Sequence, residues 1–393
     1  MRRRTLTRTV VLSALLGSLL LSPAAVAASA RAGSAPSASP TGAARWTGAT
    51  DPGPGVEALR RALAELPDDD VSAALIRVGG DVEWRGTAGV RDRRTGAPAL
   101  SHARFRAGST TKTVTAALVL SLVEEGRIDL DAPITRYLPR LLPESFGEPP
   151  TVRHLLTYTS GLRAGDGLGS TPEESYATRF VTLTPERVVA SAVAKGPEHP
   201  PGERQEYRNI HYTVLGLLIE AVTGESYADE AEARIFRPLG MRHTGFPAGP
   251  DPRVHGPHHR AYADIDGRTT DVTEWNMSDR WAAGDMISTT ADLETFVVAL
   301  FGGRVVSEEL VDQMLTVPDL PRDPDATYGM AWERHTIGDR VVWGKTGSRP
   351  GCHTVVGATR DLSRTVVYSV TAKSAREDGY PLLARFALPA FED

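Results

Sequence analysis

Phe105-Arg106-Ala107-Gly108-Ser109-Thr110-Thr111-Lys112 opens a run of small and apolar residues that continues to Glu125 and stops at Gly126. The run predicts a helix from Ser109 to about Glu125, with Gly126 placed where a left-handed cap ends it. Three residues are most of one helical turn, so Ser109 and Lys112 share a face. The lysine is informative because the chain otherwise writes arginine: only Lys112, Lys195, Lys345 and Lys373 occur. A guanidinium stays protonated in proteins, whereas a desolvated or charge-crowded ammonium releases its proton and acts as a base. Ser109-x-x-Lys112 therefore reads as a serine nucleophile activated by lysine, at a helix start where backbone N–H groups and the dipole favour developing negative charge.

Outward from this helix, Val56, Leu59, Leu63 and Leu66 give one apolar helical face, and the runs 73–78 and 82–90 alternate as strands with Gly79-Gly80-Asp81 as their turn. From about Asp129 to Ile287 the chain reads as helical fragments joined by Pro- and Gly-rich connections, including Tyr212 to Val222 stopped by Gly224. The last third changes period, with β-branched runs at 340–342, 353–359 and 365–370. Strands at both ends with helices between predict an α/β fold: an antiparallel sheet flanked by helices, with an all-helical domain inserted. The α/β part takes in about 51–128 and 288–393, the helical part about 129–287, together one domain over 51–393.

The amino terminus reads as a processing signal. Arg2, Arg3, Arg4 and Arg8 precede the apolar run Val10 to Leu21, and Ala25-Val26-Ala27 is a small-residue cleavage site. Residues 1–27 are expected to be a signal peptide and 28–50, rich in Ala, Ser, Gly and Pro, a flexible linker. The apolar run is too short to span a bilayer, so no stable membrane anchor is expected, and the mature protein is placed outside the cell or at the cell wall. The formal charge of −5 becomes −9 without those four arginines, 40 basic against 49 acidic side chains, which gives nucleic acid no electrostatic support. A single cysteine, Cys352, excludes an internal disulfide. A monomer is expected.

Two further motifs accompany the first: Tyr207-Arg208-Asn209 after the rigid turn Pro200-Pro201-Gly202, and Lys345-Thr346-Gly347 at the end of the strand that starts at Arg340. Each is weak alone; all three in this order are strong. With Thr151-Val152-Arg153-His154-Leu155-Leu156, Thr159-Ser160-Gly161-Leu162 and Pro238-Leu239-Gly240-Met241, the chain from about residue 55 resembles the serine β-lactamase and penicillin-binding-protein superfamily, and most of all its class C β-lactamase and secreted Streptomyces DD-carboxypeptidase branch. The resemblance implies a β-lactamase/transpeptidase-like fold with the active site between the two parts. It also assigns roles: Tyr207 as proton shuttle beside the catalytic Ser109, Lys112 and Lys345, and Asn209 on a substrate amide carbonyl and the Lys112 ammonium. Lys345 and Thr346 would meet a substrate carboxylate, Gly347 would let substrate backbone approach, and the N–H of Ser348 would join that of Ser109 in an oxyanion hole.

Two positions depart from that branch. Lys345 stands where the carboxypeptidases usually carry His, and Glu333 falls where their carboxylate-gripping Arg would be, with Arg334 one residue away on the opposite face of a strand. Arg208 offers a contact for an acidic substrate. His255, His258 and His259 lie in a Gly- and Pro-containing loop with no matching carboxylate or cysteine pair and read as surface histidines, so neither metal nor organic cofactor is expected. No G-x-S-x-G elbow is present, and Cys352 reads as a small packed residue. The expected activity is a D-alanyl-D-alanine carboxypeptidase or transpeptidase acting through a Ser109 acyl-enzyme on small peptide or β-lactam substrates. The alternatives are a class C-like β-lactamase, an esterase, D-amidase or peptidyl-transferase of antibiotic biosynthesis, and a penicillin-binding sensor.

Overall fold

The computed structural model describes residues 44–48, 53–375 and 379–392. The expected signal peptide and all but the last part of the expected linker lie outside them. The central element is an eight-stranded antiparallel sheet. Its strands are β1 (Arg45–Gly48), β2 (Val71–Gly80), β3 (Trp84–Asp92), β4 (Glu333–Ile337), β5 (Arg340–Arg349), β6 (Cys352–Thr359) and β7 (Arg364–Ala372), ordered β1-β3-β2-β7-β6-β5-β4, with Ala97–Pro98 attached to β3. The two ends of the chain therefore meet at the β2–β7 pairing, where Ile76 faces Tyr368 and Val78 faces Val366.

The flanking helices α1 (Gly53–Ala64), α2 (Thr111–Glu124), α3 (Asn209–Thr223), α4 (Thr290–Phe301) and α5 (Tyr380–Phe386) cover both faces. Val56, Leu59 and Leu63 of α1 and Phe386 of α5 pack with Ile76, Trp84, Val366 and Tyr368 on one face. On the other, α2, α3 and α4 share a single core with Trp343, Val356, Ala358 and Val367. Val114 to Leu120 of α2 are buried without exception, which is why that helix shows apolar residues all round instead of one stripe. The helical region thus shares the core of the sheet. It contains one ribbon, Tyr262–Ile265 with Arg268–Asp271, whose Ala263 and Ile265 pack with Cys352 and Trp275 in a small separate cluster.

Several sequence boundaries move. Residues Arg45–Gly48, read as linker, form the edge strand on β3. Gly79 and Gly80, read as a turn, extend β2 and pair with Thr365 and Arg364, so the chain reverses after them. Gly80 has φ +94°, and a Cβ there would lie 2.2 Å from the Ser363 carbonyl. Lys345-Thr346-Gly347 does not end its strand, because β5 runs on to Arg349. The expected caps hold: Gly126 (φ +70°) follows α2 and Gly224 (φ +82°) follows α3.

Candidate active site

Two close backbone approaches build the site. Gly108 (φ +54°) begins a single 3-10 turn, Gly108–Thr110, that precedes α2, and a Cβ on it would meet the Ser348 nitrogen at 2.7 Å. A Cβ on Gly347 would lie 2.0 Å from the Ala107 carbonyl and 3.0 Å from the Thr110 nitrogen. Glycines on both facing segments therefore let the start of α2 press onto β5. The hydroxyl of Thr354 on β6 fixes this contact by donating to the Ala107 carbonyl at 2.8 Å. The Ala107 N–H donates to Met286 at 2.8 Å, and the Thr111 hydroxyl accepts from the Met286 N–H at 3.2 Å. The backbone of Ser348 is thereby brought against Gly108, the residue before Ser109.

Lys112 projects from the first α-helical turn into a fully buried position. Its Nζ lies 3.0 Å from Ser109 Oγ, 2.8 Å from Asn209 Oδ1 and 2.6 Å from the Ala283 carbonyl. Burial lowers its pKa to about 8; attraction to Tyr207 opposes this and repulsion from Lys345 assists it. Three acceptors hold the amine in place while desolvation weakens its grip on its third proton.

Tyr207 joins the two lysines. The Lys345 and Lys112 ammonium groups stand 4.6 and 5.1 Å from its ring centroid. Burial raises the phenol pKa, but the two cations and hydrogen bonding with Ser109 and Lys112 outweigh it and bring it to about 7. Lys345 is buried and donates to the Thr346 carbonyl at 3.0 Å. Tyr207 as a whole residue is 39 % exposed, although its phenol is desolvated. Thr346 is half-buried and Ser348 exposed on the same strand, its hydroxyl turned to the Ala375 carbonyl. β4 pairs with β5 only from Arg340 to Gly344, which leaves the outer edge of Lys345–Arg349 without a strand partner among the described residues.

The structure thus brings Ser109, Lys112, Tyr207, Asn209 and Lys345 together, with Thr346, Gly347 and Ser348 continuing the Lys345 strand against the start of α2. Other expected contacts resolve differently. Arg208 is held by Glu198 at 2.7 Å and Glu206 at 2.8 Å. His259 is no free surface histidine: its Nε2 accepts from the Leu100 N–H at 2.9 Å, and burial lowers its pKa to about 4. His255 pairs with Asp251, and His258 with the Gly256 carbonyl. The Cys352 thiol is buried, which raises its pKa.

Sequence reasoning passed over three contributors. The Ala283 carbonyl is a backbone atom with no side-chain signature. Tyr158, directly before Thr159-Ser160-Gly161-Leu162, has φ +62° and packs its ring 4.8 Å from that of Tyr207, while its carbonyl accepts from the Glu206 N–H at 2.8 Å. Tyr328 completes the aromatic wall, 5.4 Å from Tyr207 and 5.7 Å from the Lys345 ammonium.

A serine at a helix start, a buried lysine touching it and a phenol between two cations define a serine hydrolase of the lysine-activated type. The chain belongs to the beta-lactamase family, whose family model matches residues 59–387. Its sequence is 34% identical over 196 residues to the esterase EstB of Burkholderia gladioli, covering 48% of this chain and 50% of that protein. It is 29% identical over 231 residues to the putative penicillin-binding protein PbpX of Bacillus subtilis, covering 58% and 53%. The chain spans about half the length of these curated relatives. A D-stereospecific amidohydrolase from Streptomyces sp. superposes over 84% of this chain and 98% of its own, with TM-score 0.72 and 32% identity.

Proposed function

We propose that the protein cleaves amide or ester bonds of D-configured amino-acid derivatives through an acyl-enzyme on Ser109. The observation that carries this is the contact of Ser109 Oγ with the Lys112 amine at 3.0 Å beside a phenol brought to about 7. In the proposed sequence, Ser109 Oγ bonds to the substrate carbonyl carbon as its proton passes to the Lys112–Tyr207 pair. Collapse of the tetrahedral adduct breaks the bond to the leaving nitrogen or oxygen, which takes that proton by way of Tyr207. Water then attacks the ester carbonyl as its proton goes to the same pair; the second adduct breaks its bond to Ser109 Oγ, which takes that proton back as the acid departs. The D-configured acyl donor is supported by the similarity to the Streptomyces amidohydrolase over nearly its whole length.

A second reading, a D-alanyl-D-alanine carboxypeptidase or transpeptidase, is favoured by Lys345 and Thr346 at the open strand edge, where a terminal carboxylate would find charge and a hydroxyl. Release of D-alanine from diacetyl-Lys-D-Ala-D-Ala, set against hydrolysis of D- and L-phenylalanine amides, separates the two. Stereoselective amide cleavage without D-alanine release supports the first; rapid D-alanine release supports the second; equal rates on D and L amides sink the first. Cleavage after Ala27 and export are part of the proposal, tested by the amino-terminal sequence of protein recovered from culture medium.

A further inference from the structure

The open edge of β5 has two ends. Ser348, at one, lies against Gly108 beside the nucleophile, where the proposed oxyanion would be received. Lys345, at the other, borders Tyr207, so the group that receives the proton and departs lies on the Lys345 side. This is the point where β4 stops: its first residue, Glu333, pairs with Gly344, the residue before Lys345. The Glu333 side chain is 26 % exposed. The Thr327 hydroxyl donates to its Oε1 at 3.3 Å, and His335 Nε2 lies 3.4 Å from Oε2. Tyr328, which packs on Tyr207, forms a backbone bridge with Glu333. Burial raises the carboxyl pKa, but His335, Tyr328 and Lys345 outweigh it, so the group is ionised at neutral pH. Lys345 donates its ammonium to the Thr346 carbonyl, and its charge acts on Glu333 from beyond that contact. An anion thus sits beside Tyr328 at the Lys345 end of the open edge, where it offsets part of the Lys345 charge. Like charge there repels a free carboxylate, and the low-dielectric walls strengthen the effect.

We propose that Glu333 is a specificity-determining residue that turns the leaving-group side of this cleft away from free carboxylates and toward uncharged or cationic leaving groups, such as amino-acid amides, esters and simple amines. The proposal rests on the acyl-enzyme reading above and deepens it. The same selection applies to acceptors, since an attacking amine enters by the path the leaving group takes: amino-acid amides should accept the acyl group better than free amino acids.

The test uses N-acetyl-D-phenylalanine joined to D-alanine, to D-alanine amide and to 1,2-diaminopropane, which differ in charge and little in shape. The parent protein should favour the amide and the amine over the acid in kcat/KM by about tenfold or more, the scale of one like-charge contact near a surface. Taken as a ratio within each protein, Glu333→Gln should narrow the preference severalfold and Glu333→Arg should reverse it. A parent that prefers the acid overturns the proposal on its own, whether or not the variants fold, and so does an unchanged ratio in a folded Glu333→Gln. If p-nitrophenyl acetate acylates Ser109 but none of the three compounds is cleaved, the substrate proposal falls and the acyl-enzyme stands. If no acylation of Ser109 occurs, the reading of the site fails first.

Discussion

Lys112 Nζ lies 3.0 Å from Ser109 Oγ inside a position closed to solvent, with the Asn209 amide oxygen and the Ala283 carbonyl as its other partners. These three acceptors are uncharged, and burial brings the pKa to about 8 against the attraction and hydrogen bond of Tyr207. A base at this position has to lose a proton, and guanidinium does not. Lys112→Arg should reduce acylation by about a thousandfold or more although the charge is kept. Stopped-flow release of p-nitrophenol from an activated ester measures it; near-parental bursts would show that a fixed charge suffices.

The pH dependence follows from Tyr207 between two ammonium groups. Tyr207, at about 7, and Lys112, at about 8, titrate as a pair, so the acid limb of kcat/KM belongs to both. Activity should rise as pH increases through this range, because the pair must lose one proton to accept that of Ser109. Lys345→Met removes a cation that favours the deprotonated form of both groups. The limb should move to higher pH by about one unit. A limb that stays in place would remove Lys345 from the proton relay.

Gly347 and Gly344 sit three residues apart on β5 in opposite circumstances. A Cβ on Gly347 would lie 2.0 Å from the Ala107 carbonyl, whereas one on Gly344 would find its nearest neighbours at 3.8 Å. Gly347→Ala should force the start of α2 off the strand and separate the two oxyanion donors, lowering kcat by about a hundredfold or more. It should also cost about 1–3 kcal/mol of stability by overpacking. Gly344→Ala should be close to neutral in both. Comparable losses in the two variants would show that general strand disruption, not the approach to Ala107, is responsible.

How far these features were legible in the sequence depends on which atoms carry them. Ser109, Lys112, Tyr207, Asn209 and Lys345 announce themselves by side-chain type and spacing, and α2 by an unbroken apolar run between a glycine turn and Gly126. The Ala283 carbonyl and the left-handed backbone of Tyr158 leave no such mark, since only the tertiary fold aims them. Arg45–Gly48 was passed over because all four residues are exposed, so the edge strand has none of the alternation that marks a half-buried one. The pairing of Arg208 with Glu198 was not legible because that carboxylate lies ten residues away across a turn.

Asp285 gives a prediction about stability. Its carboxyl is buried and accepts a hydrogen bond from the Tyr227 hydroxyl. Burial raises its pKa from 3.8 to about 7, against the lowering effect of that hydrogen bond and of Arg349. An acid held above its unfolded value binds its proton more tightly in the fold, so the fold loses stability as pH rises from about 4 to about 7. Asp285→Asn keeps an acceptor for Tyr227 and removes the ionisation. At about 1.4 kcal/mol per unit, even half the shift gives a gain of roughly 2 kcal/mol at pH 8. The gain should vanish near pH 4. Urea unfolding at both pH values measures it, and an equal effect at the two would point to packing instead of charge.

The central claim is the covalent intermediate on Ser109. The most direct measurement is mass spectrometry of protein quenched within the burst with p-nitrophenyl acetate and, separately, benzylpenicillin, followed by proteolysis to locate the adduct. The account predicts an acyl or penicilloyl mass on the peptide containing Ser109, lost in Ser109→Ala together with turnover by three or more orders of magnitude, on the order of what removing a nucleophile costs. An adduct on another residue, or a Ser109→Ala protein that turns over as the parent does, would contradict it.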